Sequence, residues 1–196
     1  MVTRFRLFAL GALAAILTAG APALAQTTIE NPPDPYVHKA AGVAFPAELG
    51  PFRRGRVVEF NEQGNDASIG YAPTEARGDI SLYLYPNRGA SCRDEFEGAG
   101  EAILKRGGTP IAETAGLSHP ALAGSTELSR VYTIEPNGYG FTHPRLVSYL
   151  YVACLPGRQW LVKYRGSFVV DDSARALAQY RQLFRAIDWS PLIRNP

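Results

Sequence analysis

The sequence predicts an α+β fold, a mostly antiparallel sheet with two helices packed on one face. Three observations predict it. Short runs rich in Val, Ile, Tyr and Phe recur between clusters of Pro, Gly, Asn and Asp, the pattern of strands and their turns. Two segments instead carry apolar residues at helical spacing, one beginning near Cys92 and one near Ala174. Their order, strands, a helix, more strands and a closing helix, suits helices segregated from an antiparallel sheet. A β-sandwich is the alternative architecture, and the two helical periods argue against it.

The first element is a leader. Arg4 and Arg6, the apolar run Phe8 to Leu17 and the small-residue site Ala23-Leu24-Ala25 read as a signal peptide over residues 1–25, cleaved before Gln26. Gly11, Gly20 and Pro22 interrupt the apolar stretch, whereas a membrane span needs about 20 apolar residues. No cysteine follows the cleavage site and no adjacent arginine pair precedes the run, so neither a lipid anchor nor the twin-arginine route is expected. The mature chain is therefore expected to be periplasmic, with no membrane anchor. Residues 26–36, containing Asn31-Pro32-Pro33-Asp34-Pro35, read as an extended N-terminal tail that cannot enter a helix. One α+β domain over 37–196 follows, since a chain of this size buries enough surface for a single core.

Strands are expected at Val37 to Phe45, Phe52 to Phe60, Ala67 to Ala72 and Ile80 to Tyr85. In the last of these, Ile80, Leu82 and Leu84 alternate with Ser81, Tyr83 and Tyr85, giving a half-buried strand with a tyrosine face. Cys92, Phe96, Ala99 and Ile103 then mark a helix capped by Ser91 and ended by Gly107. Asp94, Glu95 and Glu97 near its start and Lys105 and Arg106 near its end complement the helix dipole. The Gly/Ala/Pro-rich stretch 107–124 reads as loop with at most one strand. Further strands are expected at Leu128 to Ile134, Leu146 to Leu155 and Trp160 to Ser167. Asp171 or Asp172 caps a last helix with Ala174, Leu177, Phe184 and Ile187 on one face and Tyr180 beside it.

The hairpin between the last two strands decides which side chains meet. A three-residue loop, 156–158, pairs Cys154 with Trp160, Val152 with Val162 and Leu150 with Tyr164, which keeps one face apolar. Tyr151 then meets Lys163 and Tyr149 meets Arg165 on the other face, alongside Tyr83 and Tyr85.

Composition narrows the function. The whole chain has 20 basic against 18 acidic residues, and 18 against 18 once residues 1–25 are removed. A neutral protein gives no electrostatic case for nucleic acid as a partner. Cys92 and Cys154 are expected to form a disulfide in an oxidising compartment, because neither a C-x-x-C redox motif nor zinc-ligand spacing is present. His38, His119 and His143 are scattered, so no metal is expected. Gly116-Leu117-Ser118-His119-Pro120 lacks the second glycine of a nucleophile elbow. No catalytic residue and no cofactor are assigned.

The functional lead is the tyrosine and basic face formed by Tyr83, Tyr85, Tyr149, Tyr151, Lys163 and Arg165. Tyrosines offer large, rigid, amphipathic contact area, and the two cations sit over rings or meet an anionic group. The connection from Glu135 to Pro144, with Tyr139, Phe141 and His143, is the second lead, because long connections commonly carry function.

The element order from Val37 to Trp189 includes a Tyr-rich hairpin, Ser148-Tyr149-Leu150-Tyr151 with Trp160-Leu161-Val162-Lys163-Tyr164, and a helix ending Phe184-Arg185-Ala186-Ile187-Asp188-Trp189. This order resembles exported proteins of the PsbP and DcrB type. Phe45-Pro46 and Gly70-Tyr71 also resemble the opening of periplasmic proteins of alphaproteobacteria. The resemblance implies a PsbP-like fold and a non-catalytic accessory or binding role; it carries over no functional residue, and the cysteine pair is not a general feature of that group. The expected function is thus a non-catalytic periplasmic accessory or binding protein, its partner an envelope protein or a small molecule. The alternative is a small envelope hydrolase, which requires His119 or His143 within hydrogen-bond reach of a serine or carboxylate.

Overall fold

The structure, a computed structural model, describes residues 26–111, 117, 119–136, 144–155, 157 and 159–194. In chain order its strands are β1 (Thr27–Thr28), β2 (Tyr36–Val37), β3 (Ala44–Phe45), β4 (Phe52–Glu59), β5 (Ala67–Pro73), β6 (Gly78–Pro86), β7 (Gly108–Ile111), β8 (Thr126–Ile134), β9 (Leu146–Cys154) and β10 (Trp160–Val169). The helices are α1 (Cys92–Leu104), α2 (Ser173–Ala186) and α3 (Pro191–Arg194). Eight strands make one sheet in the order β1-β4-β5-β6-β10-β9-β8-β7, and every neighbouring pair is antiparallel. The strands β4 to β6 form one meander. Helix α1 then carries the chain to the far edge, and β7 to β10 run back until β10 closes on β6. The fold is α+β, and one continuous sheet replaces the sandwich alternative.

The two helices pack on opposite faces, which corrects the expectation of one shared face. Strand alternation sends Tyr149, Tyr151 and Ala153 of β9 to one side and Leu150, Val152 and Cys154 to the other. Phe96 and Ile103 of α1 pack on Tyr132, Ile134, Leu150, Val152 and Leu161. Ala176, Tyr180, Leu183, Phe184 and Ile187 of the α2 segment join Tyr149, Tyr151, Tyr164 and Phe168 on the reverse face. Since α1 already covers one face in crossing to the β7 edge, the aromatic row on the reverse face is what remains for α2. The buried α2 stripe accordingly runs through Ala176 and Leu183, while Ala174 is exposed and Leu177 is half-buried.

The β9–β10 hairpin differs from expectation by one residue. Leu155 N–H donates to the Trp160 carbonyl at 3.1 Å, where the expected register set Cys154 opposite Trp160. Cys154 pairs with Leu161, Val152 with Lys163, Tyr151 with Tyr164, Leu150 with Arg165 and Tyr149 with Gly166. This register buries three tyrosines together under α2, at 4%, 1% and 0% exposure for Tyr149, Tyr151 and Tyr164. It also places Lys163 and Arg165 on the α1 face beside apolar neighbours. That mixture is tolerated because α1 covers β8, β9 and Leu161 at the start of β10 but not the rest of that strand, so along β10 the same face is dry at Leu161 and only half-buried at Lys163 and Arg165.

Local signals elsewhere act as expected, with three adjustments. Ser91 caps α1, its hydroxyl accepting from Asp94 N–H at 3.1 Å. The expected strand 37–45 is two short strands around a turn, because Gly42 takes a left-handed φ of 71° and donates to the His38 carbonyl. Asp172 holds the N-cap position of α2, but its carboxylate is taken by Arg77, accepting from the backbone N–H at 3.2 Å and from Nε at 3.0 Å. The proline-rich tail is docked. β1 extends the sheet beside β4, and Arg54 donates to the carbonyls of Pro32 at 3.2 Å and Pro33 at 2.8 Å.

Candidate functional site

Pairing of β6 with β10 sets Tyr83 opposite Lys163, Ser81 opposite Arg165 and Asp79 opposite Ser167, all on the α1 face. These six residues floor a groove. One wall is α1, which presents Gly98, Ala99 and Ala102 toward Lys163. A Cβ added at Gly98 meets nothing within 4 Å, whereas one at Gly100, on the sheet side of the same helix, falls 2.6 Å from the Tyr132 hydroxyl. Small residues thus do two jobs on α1: Gly100 lets the helix approach the sheet, and Gly98 leaves the groove open. The other wall holds Phe60 and Asp66, at the end of β4 and the start of β5.

Tyr83 divides the groove. On one side a cleft of about 370 Å³ contains Phe60, Asp66, Tyr85, Glu95 and Lys163. The Lys163 ammonium lies 4.2 Å from the Tyr83 ring centre and 5.4 Å from that of Tyr85, while Phe60 stacks on Tyr83 at 6.4 Å. Tyr85 donates to Glu95 Oε2 at 3.0 Å, and Arg88 pairs with Asp66 at 3.0 Å. Burial holds the Lys163 ammonium below the ordinary lysine value, opposed by Glu95 and Asp66 and aided by Arg165. Burial likewise raises the Asp66 carboxyl, against Arg88 and Lys163. On the other side of Tyr83 a cleft of about 240 Å³ is lined by Asp79, Ser81, Arg106, Arg165 and Ser167, with Ile134 and Leu146 at its base.

Four of the expected face residues, Tyr83, Tyr85, Lys163 and Arg165, therefore share the groove. Tyr149 and Tyr151 do not; the register buries them on the reverse face against Tyr180 at 5.4 Å and Phe184 at 4.9 Å between ring centres. Tyr139 and His143 lie outside the described residues. Phe60, Asp66, Glu95 and Arg106 were not anticipated as groove residues, and neither were Ser81 and Ser167. The alternation Asp79-Ser81-Tyr83-Tyr85 and Lys163-Arg165-Ser167 is visible in each strand alone, but the pairing that brings the two rows together joins residues far apart in sequence, as the Lys163–Tyr83 register illustrates. A second cleft of about 210 Å³ lies between Leu155, Trp160 and Leu192, with no charged side chain among its described lining residues.

The described histidines are engaged by backbone. His119 Nδ1 accepts from Ala121 N–H at 3.1 Å, and its ring sits edge-on to Phe184 at 6.1 Å. His38 is fully buried: Nδ1 accepts from Ala41 N–H at 3.1 Å, which leaves Nε2 to donate to the Leu84 carbonyl at 3.2 Å. Neither hydrogen-bonds a serine or a carboxylate among the described residues, so the hydrolase alternative gains no support from them. The described residues contain no group of three or more His, Cys, Asp or Glu placed to hold a metal.

Burial lowers the His38 pKa to about 4, against smaller opposing effects of the Leu84 carbonyl and Glu59. The groups facing it are the Trp160 ring, the Glu59 carboxylate and the Lys39 ammonium, the last two paired at 2.6 Å. A folded-state pKa below the unfolded value of about 6.5 contributes stability that is complete above that pH and is lost as pH falls through the folded value. Between pH 7 and 4 this removes roughly 3 kcal/mol. His38→Asn, which keeps an acceptor for Ala41 N–H, is expected to be less stable at pH 7 but to lose much less between pH 6.5 and 4 in urea titrations. Parallel pH profiles for the two proteins would assign the acid loss elsewhere.

The fold and the groove define an α+β protein with one sheet face closed by α2 and the other half open beside α1. No family model, curated protein or solved structure matches the chain.

Proposed function

We propose that this is an exported, non-catalytic binding protein that works in the periplasm after loss of residues 1–25 and holds a small molecule in the groove beside α1. The observation that carries the reading is the groove itself. Its floor is aromatic and charged, and the helix over it presents glycine and alanine where larger residues would close the space. Small-molecule sites combine apolar or aromatic walls with a few convergent polar groups, and this groove has both. The Cys92–Cys154 disulfide, with Cα atoms 5.8 Å apart, supports an oxidising compartment, and no described helix is long and apolar enough to cross a membrane. The resemblance in element order to PsbP-type exported proteins supports the same accessory role.

Gly98→Trp tests it. The indole enters open space on the groove side, and tryptophan is a better helix former than glycine, so the fold is expected to persist. Native mass spectrometry of protein released gently from the periplasm is expected to show added mass that disappears on denaturation, and to show none for Gly98→Trp at an unchanged thermal midpoint. Added mass equal in both proteins would move the ligand out of the groove, and bare chain in both would sink the reading.

A further inference from the structure

We infer that the Lys163 side-chain amine docks a small planar aldehyde in the cleft between Phe60, Tyr83 and Tyr85, as a reversible Schiff base. The inference rests on the groove being the ligand site and names the class of ligand and the bond that holds it.

The chain has three lysines, and their surroundings differ. Lys39 is paired with Glu59 at 2.6 Å and Lys105 with Glu101 at 3.8 Å, their side chains 55% and 78% exposed. Lys163 is half-buried, and among the described residues no hydrogen bond or ion pair reaches its nitrogen. What the nitrogen meets is the rings of Tyr83 and Tyr85, 4.2 and 5.4 Å from their centres. Ring faces attract a cation, but an ammonium has three N–H donors that water would otherwise satisfy. Burial accordingly holds the Lys163 pKa below the ordinary lysine value, opposed by Glu95 and Asp66 and aided by Arg165. A lysine desolvated in this way keeps a larger share of neutral amine, the form that attacks a carbonyl carbon. The cleft also suits a flat body: the Phe60 and Tyr83 rings lie within 22° of parallel, and Gly98, Ala99 and Ala102 leave room on the α1 side of Lys163. In the step, the amine lone pair attacks the aldehyde carbon, the C–N bond replaces the C–O bond, and both amine protons leave on the carbonyl oxygen as water. Nothing is oxidised or reduced. The Asp66 and Glu95 carboxyls, which line the same cleft, relay those protons.

The test is reductive trapping. The intact folded protein is treated with benzaldehyde or propanal and cyanoborohydride, which delivers hydride to the imine carbon and fixes it as a secondary amine; the lysine-bearing peptides are then quantified by mass spectrometry. With benzaldehyde Lys163 is expected to carry about ten-fold more label than Lys39 or Lys105, although exposure alone ranks it last. With propanal that preference is expected to fall about five-fold, Lys105 in the same sample cancelling the intrinsic reactivity of each aldehyde. Gly98→Trp is expected to abolish the Lys163 preference and leave Lys105 labelling unchanged. In protein released from the periplasm, cyanoborohydride is expected to turn the groove mass into one that survives denaturation, but not in Lys163→Arg, which keeps a cation over the rings and cannot form the imine. Labelling that follows exposure, equal preference with the two aldehydes, or a Lys163 preference indifferent to Gly98→Trp would each overturn the assignment. The two proposals fail separately. A groove-dependent mass that cyanoborohydride never fixes overturns the Schiff base alone, whereas absence of any groove-dependent mass overturns the groove reading beneath it.

Discussion

Tyr180→Ala is expected to lower the free energy of unfolding by roughly 4–6 kcal/mol, a large share of the 5–15 kcal/mol that holds a domain together. The Tyr180 ring is fully buried, 4.2 Å from that of Tyr164 and 5.4 Å from that of Tyr149. The two tyrosines are tied twice, Tyr164 donating to the Tyr180 carbonyl and Tyr180 to the Tyr164 carbonyl, each at 2.9 Å. Truncating a buried aromatic costs about 3–5 kcal/mol through lost contacts and the cavity left behind, and a buried hydrogen bond adds about 1. The ring lies this close to β10 because Gly166 is beneath it: a Cβ there would stand 2.7 Å from Phe168 and 2.8 Å from Tyr180. Tyr180→Phe, which removes only the hydroxyl, is expected to cost about 1 kcal/mol. Urea midpoints at constant m-value separate the two terms. A phenylalanine variant as damaged as the alanine one would assign the stability to the hydrogen bond instead of the packing.

The same cluster shows where the sequence could be read and where it could not. Alternation within β6 and within β9 is local, and it sorts Tyr83 from Leu84 and Leu150 from Tyr151 correctly. Helix α1 was legible for the same reason, from the Ser91 cap and the spacing of Phe96 and Ile103. The β9–β10 register was not, because alternation fixes a register only where each face of a strand is uniformly wet or dry. Here the edge of the α1 footprint crosses β10 beyond Leu161, so Val152 is covered while its partner Lys163 opens into the groove. One residue of slip then moved Tyr149 and Tyr151 from the expected binding face into the core. Closure of β10 on β6 was equally invisible, since it depends on α1 carrying the chain to the far edge, and half the groove comes from that pairing. Gly166 carries a local sign of the α2 contact, since a glycine within a strand marks close approach of another element.

Removing the disulfide is expected to cost about 4 kcal/mol and to unfasten the groove wall before the rest of the fold. Cys92 and Cys154 are 62 residues apart in sequence, and closing a loop of that length restrains the unfolded chain by about 4 kcal/mol on the chain-entropy account. At roughly 2–4 °C per kcal/mol in a domain of this size, Cys92→Ser, Cys154→Ser or reduction is expected to lower the thermal midpoint by roughly 8–16 °C. The native state adds a local effect. Helix α1 has 13 residues, two of its interior positions are glycine, and only Phe96, Gly100 and Ile103 are buried. An isolated helix of that length is marginal in water, and its ion pair to the sheet, Arg130 with Glu97 at 3.0 Å, is partly exposed and worth little. The bond at its first residue is therefore what anchors its N-terminus to the end of β9. Hydrogen exchange in the serine variants is expected to accelerate in residues 92–104 while β10 stays protected, with ligand capture falling in step. Uniform acceleration across the sheet would mean that the bond acts only on the unfolded chain. Unchanged protection of α1 would mean that Phe96 and Ile103 hold the wall alone, and the groove would then keep its shape without the covalent tie.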